Sequence, residues 1–410
     1  MTSRARRIQP PGISRRHLLA AGLGSSLVAV GRNPLAHALE RSRGRREDGL
    51  PVLVVLQLTG GNDGLNTVVP HRQDAYYRLR PTLGLARQDL HPLDDDHGLH
   101  PAASGLGELF QEGRLAVLHG VGGPRPERSH FRSLEIWHTA EPEAPAGEVG
   151  WLGRLVDQLV DRDPEALAAL SIGRGDLLLS LRAERTNVPT LTDPAGLRVD
   201  ERARAIQPWR DRLLARESES PELAFLRGAA RTTYDAAARM QALRTPQGAG
   251  GYPATDLARG LRLVAELVAG RFGTRIFHLE RGGFDTHARQ APTHAALIGD
   301  VSASLTAFQR DLEERGVAGD VVTLVFSDFG RRAQENGSRG TDHGFGAPVF
   351  LLGAPVRGGQ TGTAPDVEAL VDGDVPATTD FRRLYTTLER DWMGLRPGSP
   401  EQRPLPILGA

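Results

Sequence analysis

The sequence predicts an α/β fold organised on a largely parallel sheet, and three observations carry that expectation. Residues 321–326 (VVTLVF) and 51–58 (PVLVVLQL) are short apolar runs rich in β-branched types, the pattern of strands buried on both faces. Each run stops at a glycine-bearing loop with a carboxylate, Asp328 after the first and Asp63 after the second. Segments with helical spacing separate the runs, and in open α/β sheets ligands sit at the carboxyl ends of the strands.

Composition sets the limits. The chain has 410 residues, 39% hydrophobic and 24% charged, enough apolar matter for one large domain with insertions. It has no cysteine, which excludes disulfides, thiolate metal sites and cysteine nucleophiles. All 50 basic residues are arginine, so a phosphate-loop lysine and a Schiff-base lysine are excluded as well. No basic block stands beyond the N-terminus, and nucleic acid is not an expected partner.

Residues 1–40 read as a targeting segment. Arg15-Arg16 leads into an apolar run at 18–30, and Ala36-His37-Ala38 supplies a small-residue cleavage site. The run is shorter than the ~20 residues of a spanning helix, so no stable membrane span is expected. The expected partner is the twin-arginine translocase, and the expected location is periplasmic or extracellular. Residues 41–50 form a charged linker, 51–395 the α/β domain with a helical insertion at about 180–270, and 396–410 a tail.

Along the domain, strands are expected at 51–58, 114–120, 166–172, 274–279, 321–326 and 348–352. Helices are expected at 131–138, 150–160, 222–243, 257–268, 295–315 and 381–393. The stretch 90–101 (LHPLDDDHGLHP) is rich in His and Asp, but polar loops of this kind are usually solvated. Ser129 has a plain reading as the cap of the helix that follows it and a sharper one as a nucleophile at a helix N-terminus.

The candidate site gathers the polar groups that close these strands. Asp63, Asp285 with His287, Asp328, and the loop bearing Asp342 and His343 all fall at or near strand ends. Carboxylates and neutral imidazoles are the ligand set of Zn, Mn and similar ions, and several carboxylates at one edge repel each other without a cation. Ser129 is the candidate nucleophile and His130 a proton relay, with Arg128 and Arg331 as candidates for gripping an anionic ester. No G-x-S-x-G is present, so a nucleophile-elbow serine hydrolase is excluded.

The segments GGNDGLNTVVP, RSHFRSLEIWHTA, GWLGR, GGFDTHA, FSDFGRR, GTDHG and TTDFRRLY resemble a family of exported bacterial proteins with a twin-arginine signal. That family is a sulfatase-like domain of unknown function, grouped with the alkaline phosphatase and sulfatase superfamily. The resemblance implies an alkaline-phosphatase-like three-layer sandwich with a divalent metal (Zn, Mn or Ca), one or two ions, at the strand ends. It implies Ser129 as nucleophile, Asp285, His287 and His343 around one ion, and Asp63 with Asp328 on a second. Two departures bear on the number of ions: Phe329 stands where the superfamily usually has histidine, and the Asp285–His287 spacing is short. Two functions follow as expectations. One is an exported metal-dependent hydrolase of phosphate or sulfate esters; the other is a non-catalytic binding or assembly protein with a structural metal.

Overall fold

The computed structural model describes residues 49–143, 147–163, 167–173, 177–191 and 251–409. The expected targeting segment, the expected helix at 222–243, and most of the expected linker and of the expected 180–270 insertion lie outside the described residues. Nine strands form the main sheet of the described residues: β1 (Val52–Leu58), β2 (Leu115–Gly122), β3 (Ala169–Ile172), β4 (Thr190–Leu191), β5 (Ile276–Arg281), β6 (Val321–Ser327), β7 (Ala347–Leu352), β8 (Gly359–Thr361) and β9 (Thr379–Asp380). Their order is β8-β2-β7-β6-β1-β5-β3-β4, with β9 beside β2.

Strand β1 lies at the centre because it is apolar on both faces. Val52, Val54, Leu56 and Leu58 join one core cluster, while Leu53 and Val55 join the other. Two short helices, α1 (Gly64–Thr67) and α2 (Asp74–Leu79), follow β1, and the first cluster is completed by α3 (Ser104–Gln111), α6 (Asp256–Ala269) and α7 (Gln290–Glu314). The second is completed by α4 (His130–Thr139), α5 (Trp151–Arg162) and α8 (Phe381–Thr386), with Trp137 stacked between Phe326 and Phe381. Helices on both faces of a mostly parallel sheet give a three-layer α/β sandwich, as the uninterrupted apolar runs foretold.

Only β7 departs from the common direction, pairing antiparallel with both β2 and β6. Its direction follows from the connection: the chain leaves β6 at the carboxyl edge, loops through residues 328–346, and re-enters at that same edge. Apolar periodicity carries no sign of direction, so the sequence reading did not include this reversal. The consequence for the site is direct. Residues just before β7 stand beside residues just after β1, β2, β5 and β6.

The His- and Asp-rich stretch at 90–101 contains two short pieces, His91–Pro92 and Gly98–Leu99, which pair with each other, and Gly98–Leu99 also pairs with Val68–Val69 to make a separate three-stranded sheet. The closing helix expected at 381–393 is split into α8 and a π-helical turn, Thr387–Trp392. No helix among the described residues is long and apolar enough to cross a membrane.

Candidate metal centre

The carboxyl edge of the sheet is held together by close backbone contacts. Gly60 and Gly61 follow β1 with φ of +117° and +77°. A Cβ on Gly60 would lie 2.5 Å from the Asp285 amide nitrogen, and one on Gly61 2.5 Å from the Phe329 ring. Only glycine fits there, so the loops after β1, β5 and β6 touch directly. The Gly60 amide donates to both carboxylate oxygens of Asp328, at 3.2 Å each.

Three histidines are held in one manner. His130, the first residue of α4, directs Nδ1 at Asp328 Oδ2, 2.8 Å away. His287, after β5, directs Nδ1 at Asp342 Oδ1 at 3.1 Å. His343, before β7, directs Nδ1 at the Arg128 carbonyl at 2.8 Å. An oxygen acceptor at Nδ1 places the proton there and leaves Nε2 as a bare lone pair. All three Nε2 atoms then meet at one carboxylate oxygen, Asp285 Oδ1, at 3.5, 3.0 and 3.2 Å for His130, His287 and His343.

This donor set fits a divalent cation. Ligand atoms of His130, Asp285 and His343 all lie within 4.8 Å of one another. His287 Nε2 is 2.9 Å from His343 Nε2, a repulsive approach for two bare nitrogens unless something positive lies between them. His130 Nε2 is buried and has no hydrogen-bond partner. A tetrahedral shell with bonds of about 2.0–2.1 Å sets its ligand atoms about 3.3 Å apart, the scale of the separations seen here. The cluster also opens to solvent: the Asp285 and His287 side chains are 49% and 43% exposed.

Burial tends to raise the pKa of Asp285, but the hydrogen bond and positive charge of Arg331, with the imidazoles that face the carboxylate, outweigh it and bring the value to about 2. Its carboxylate is therefore ionised and ready to ligate. Asp328 is fully buried, and that burial raises its pKa against the opposing influence of His130 and the Gly60 amide. Asp342 is lowered by its bonds to Asn336 and His287.

The sequence candidates divide accordingly. Asp285, His287 and His343 come together, and His130, expected as a proton relay, stands in the same cluster. Asp328 and Asp342, expected as ligands, instead hold the far nitrogens of His130 and His287. Asp63, also expected as a ligand, is fully buried, paired with Arg80 at 2.5 Å and bonded by Gln290. It also caps the short helix α1 (Gly64–Thr67) through the Asn66 amide. Its carboxyl is held below the usual range because Arg80, His294 and Gln290 together outweigh the effect of burial.

Ser129 is exposed, and its hydroxyl makes no capping bond to α4. Arg128 is tied to Asp374 by its guanidinium, with Nε at 3.0 Å, and serves His343 with its carbonyl. Arg331, a candidate for gripping the ester, is buried. Phe329 packs its ring 4.7 Å from both His130 and His343. Sequence reasoning missed Arg80, Gln290 and Asn336. The one available signal for Asn336 is its place in the glycine-rich turn, where asparagine side chains hold local backbone; it accepts from the Ser338 and Gly340 amides and donates to the His287 carbonyl.

A family model described as "Protein of unknown function (DUF1501)" matches residues 122–399, a span that holds every residue of the metal cluster. The chain belongs to the DUF1501 family. No curated protein matches this DUF1501 chain. Among solved structures, it is similar to a protein in the alkaline phosphatase superfamily from Vibrio parahaemolyticus, with 12% identity over 90% of this chain and 77% of that one, TM-score 0.41. It is also similar to the PsFucS1 sulfatase from Pseudoalteromonas sp., 12% identical over 91% and 73% of the two chains, TM-score 0.38. A third is the C-terminal periplasmic domain of EcEptC from Escherichia coli in complex with Zn, 11% identical over 75% and 74%, TM-score 0.36. Likeness this distant leaves the chemistry of the DUF1501 centre to its own residues.

Proposed function

We propose that this DUF1501 protein is a metal-dependent hydrolase of phosphate or sulfate esters, exported through the twin-arginine route and working with one divalent ion. The observation that supports it most is the meeting of three lone-pair Nε2 atoms on Asp285 Oδ1 at a solvent-open edge. His130, His287, His343 and Asp285 would hold the ion. A bound divalent cation supplies Lewis-acid polarisation of an ester oxygen and stabilises the charge that develops there.

The chain's own residues supply the rest. Asp328, Asp342 and the Arg128 carbonyl hold the imidazoles in the ligating tautomer. Ser129 precedes His130 at the head of α4 and spends its hydroxyl on no cap, which suits attack on a substrate held at the cluster. The ester class comes from the sulfatase-like resemblance of the motifs, and the metal-ligating donor set is compatible with it.

The test combines metal analysis of the purified chain with a panel of aryl phosphate and sulfate esters. The expected result is a bound divalent ion and turnover of at least one ester, with turnover lost in His343→Ala and strongly reduced in Ser129→Ala. A chain that binds no divalent ion contradicts the proposal. One observation favours a second reading, a non-catalytic binding protein with a structural metal: Phe329 covers one side of His130 and His343. Metal present with no turnover of any ester would select that reading.

A further inference from the structure

Arg331 lies four residues beyond the end of β6, and its side chain is fully buried. A guanidinium carries five N–H donors in one plane, and burying it is costly unless they are used. Here Nε donates to the Gly61 carbonyl at 2.7 Å and Nη1 to the Thr341 carbonyl at 2.9 Å. Nη2 donates to the Phe284 carbonyl at 3.0 Å, to the Gly60 carbonyl, and to Asp285 Oδ1 at 2.7 Å. These acceptors belong to three separate segments: the loop after β1, the loop after β5, and the turn before β7. Each segment either supplies a ligand of the cluster or touches the backbone of one that does.

The side-chain bond is also selective. Arg331 reaches Asp285 through Oδ1, the oxygen on which the three imidazoles converge. A carboxylate gripped there has its rotation fixed before any ion arrives. The loops that carry His287 and His343 are fixed by the same guanidinium.

We propose that Arg331 is the positioning residue of the metal centre, assembling Asp285 and its three loops into ligating geometry in the ion-free protein. This proposal rests on the metal-centre reading given above and adds to it a cause for the preorganisation. If Arg331 were only a loop clamp, removing it would lower stability and leave the ligand geometry of the folded protein unchanged.

The experiment uses the full chain loaded with Co2+, whose visible absorption reports the geometry of its ligands. Arg331→Lys keeps the charge but cannot span the carbonyls. Co2+ affinity by chelator competition is expected to fall ~10–100-fold, as for other groups that orient ligands, with a changed absorption band. In an Asp285→Asn background the same substitution is expected to cost less than in wild type, because the side-chain contact is already weakened and only the hold on the loop carbonyls is left to lose. A folded Arg331→Lys protein with wild-type affinity and spectrum overturns the proposal.

A second measurement needs no variant. Amide hydrogen exchange at residues 60–62 and 341–344 is expected to be equally slow in ion-free and Co2+-loaded wild-type protein. Protection that appears only with the ion would mean the ion organises the loops, and the proposal falls. A wild-type chain that binds no Co2+ removes the metal-centre reading itself, an outcome distinct from the other two.

Discussion

Asp63 and Asp328 show how the same residue type, beyond the ends of two neighbouring strands, takes different work from its surroundings. Asp328 is bonded by the Gly60 amide and by His130, so its carboxylate acts on the cluster through an imidazole. Replacing it with alanine is expected to weaken divalent-ion binding ~10–100-fold in a chelator titration without unfolding the chain; unchanged affinity would deny it that part. Asp63 has Arg80 against it in a setting where both side chains are fully buried. Arg80→Met leaves that carboxylate buried and uncompensated, at an expected cost of about 3–5 kcal/mol in urea unfolding. Adding Asp63→Asn to the same chain should recover part of the loss; a cost within experimental error for Arg80→Met alone would contradict the pairing. Neither assignment was legible in the sequence. An aspartate after a strand looks the same whether a cation, an imidazole or a distant arginine meets it, and Arg80 lies 17 residues from Asp63.

At the scale of elements, the loops at the carboxyl edge are fitted more tightly than their composition suggests. A Cβ on Gly340 would come within 2.2 Å of the His287 carbonyl carbon. Gly340→Ala is therefore expected to cost about 1–3 kcal/mol from overpacking and to displace His287, seen as a joint loss of melting temperature and metal affinity. Wild-type behaviour in both would show that these loops yield freely. On the far side of the sheet, the π-helical turn buries Glu389, and burial raises its pKa from 4.5 to about 7 against the Gly398 amide and Arg154. The folded chain thus keeps a proton that the unfolded chain gives up, so stability falls as pH rises from 4.5 to about 7. Glu389→Gln is expected to remove that fall in urea unfolding measured across the interval. Parallel curves for the two proteins would place the pH dependence elsewhere.

The long strands β1 and β6 were legible because both their faces are buried, which makes the apolar run continuous. Thr190–Leu191, Gly359–Thr361 and Thr379–Asp380 were not, since two or three residues carry no measurable period. The helix boundaries at 130–139 and 256–269 lie close to the expected ones because helical spacing persists over several turns.

Across the whole molecule, the candidate site lies where topology, not sequence proximity, collects side chains. The proposed ligands come from the head of α4, the loop after β5 and the turn before β7, segments separated by more than a hundred residues at the widest step. The reversal of β7 makes this possible, since it returns Asp342 and His343 to the edge where β5 and β6 end. That sharing of one edge was legible from carboxylates and histidines recurring after apolar runs. The division of labour was not, because it depends on which nitrogen of each ring faces which oxygen.

The most direct measurement is anomalous diffraction from crystals of the full chain grown with excess Zn2+ or Mn2+. One peak is expected, bonded to Nε2 of His130, His287 and His343 and to Oδ1 of Asp285. No peak at that cluster, or a first peak at Asp63 instead, would contradict the single-ion centre.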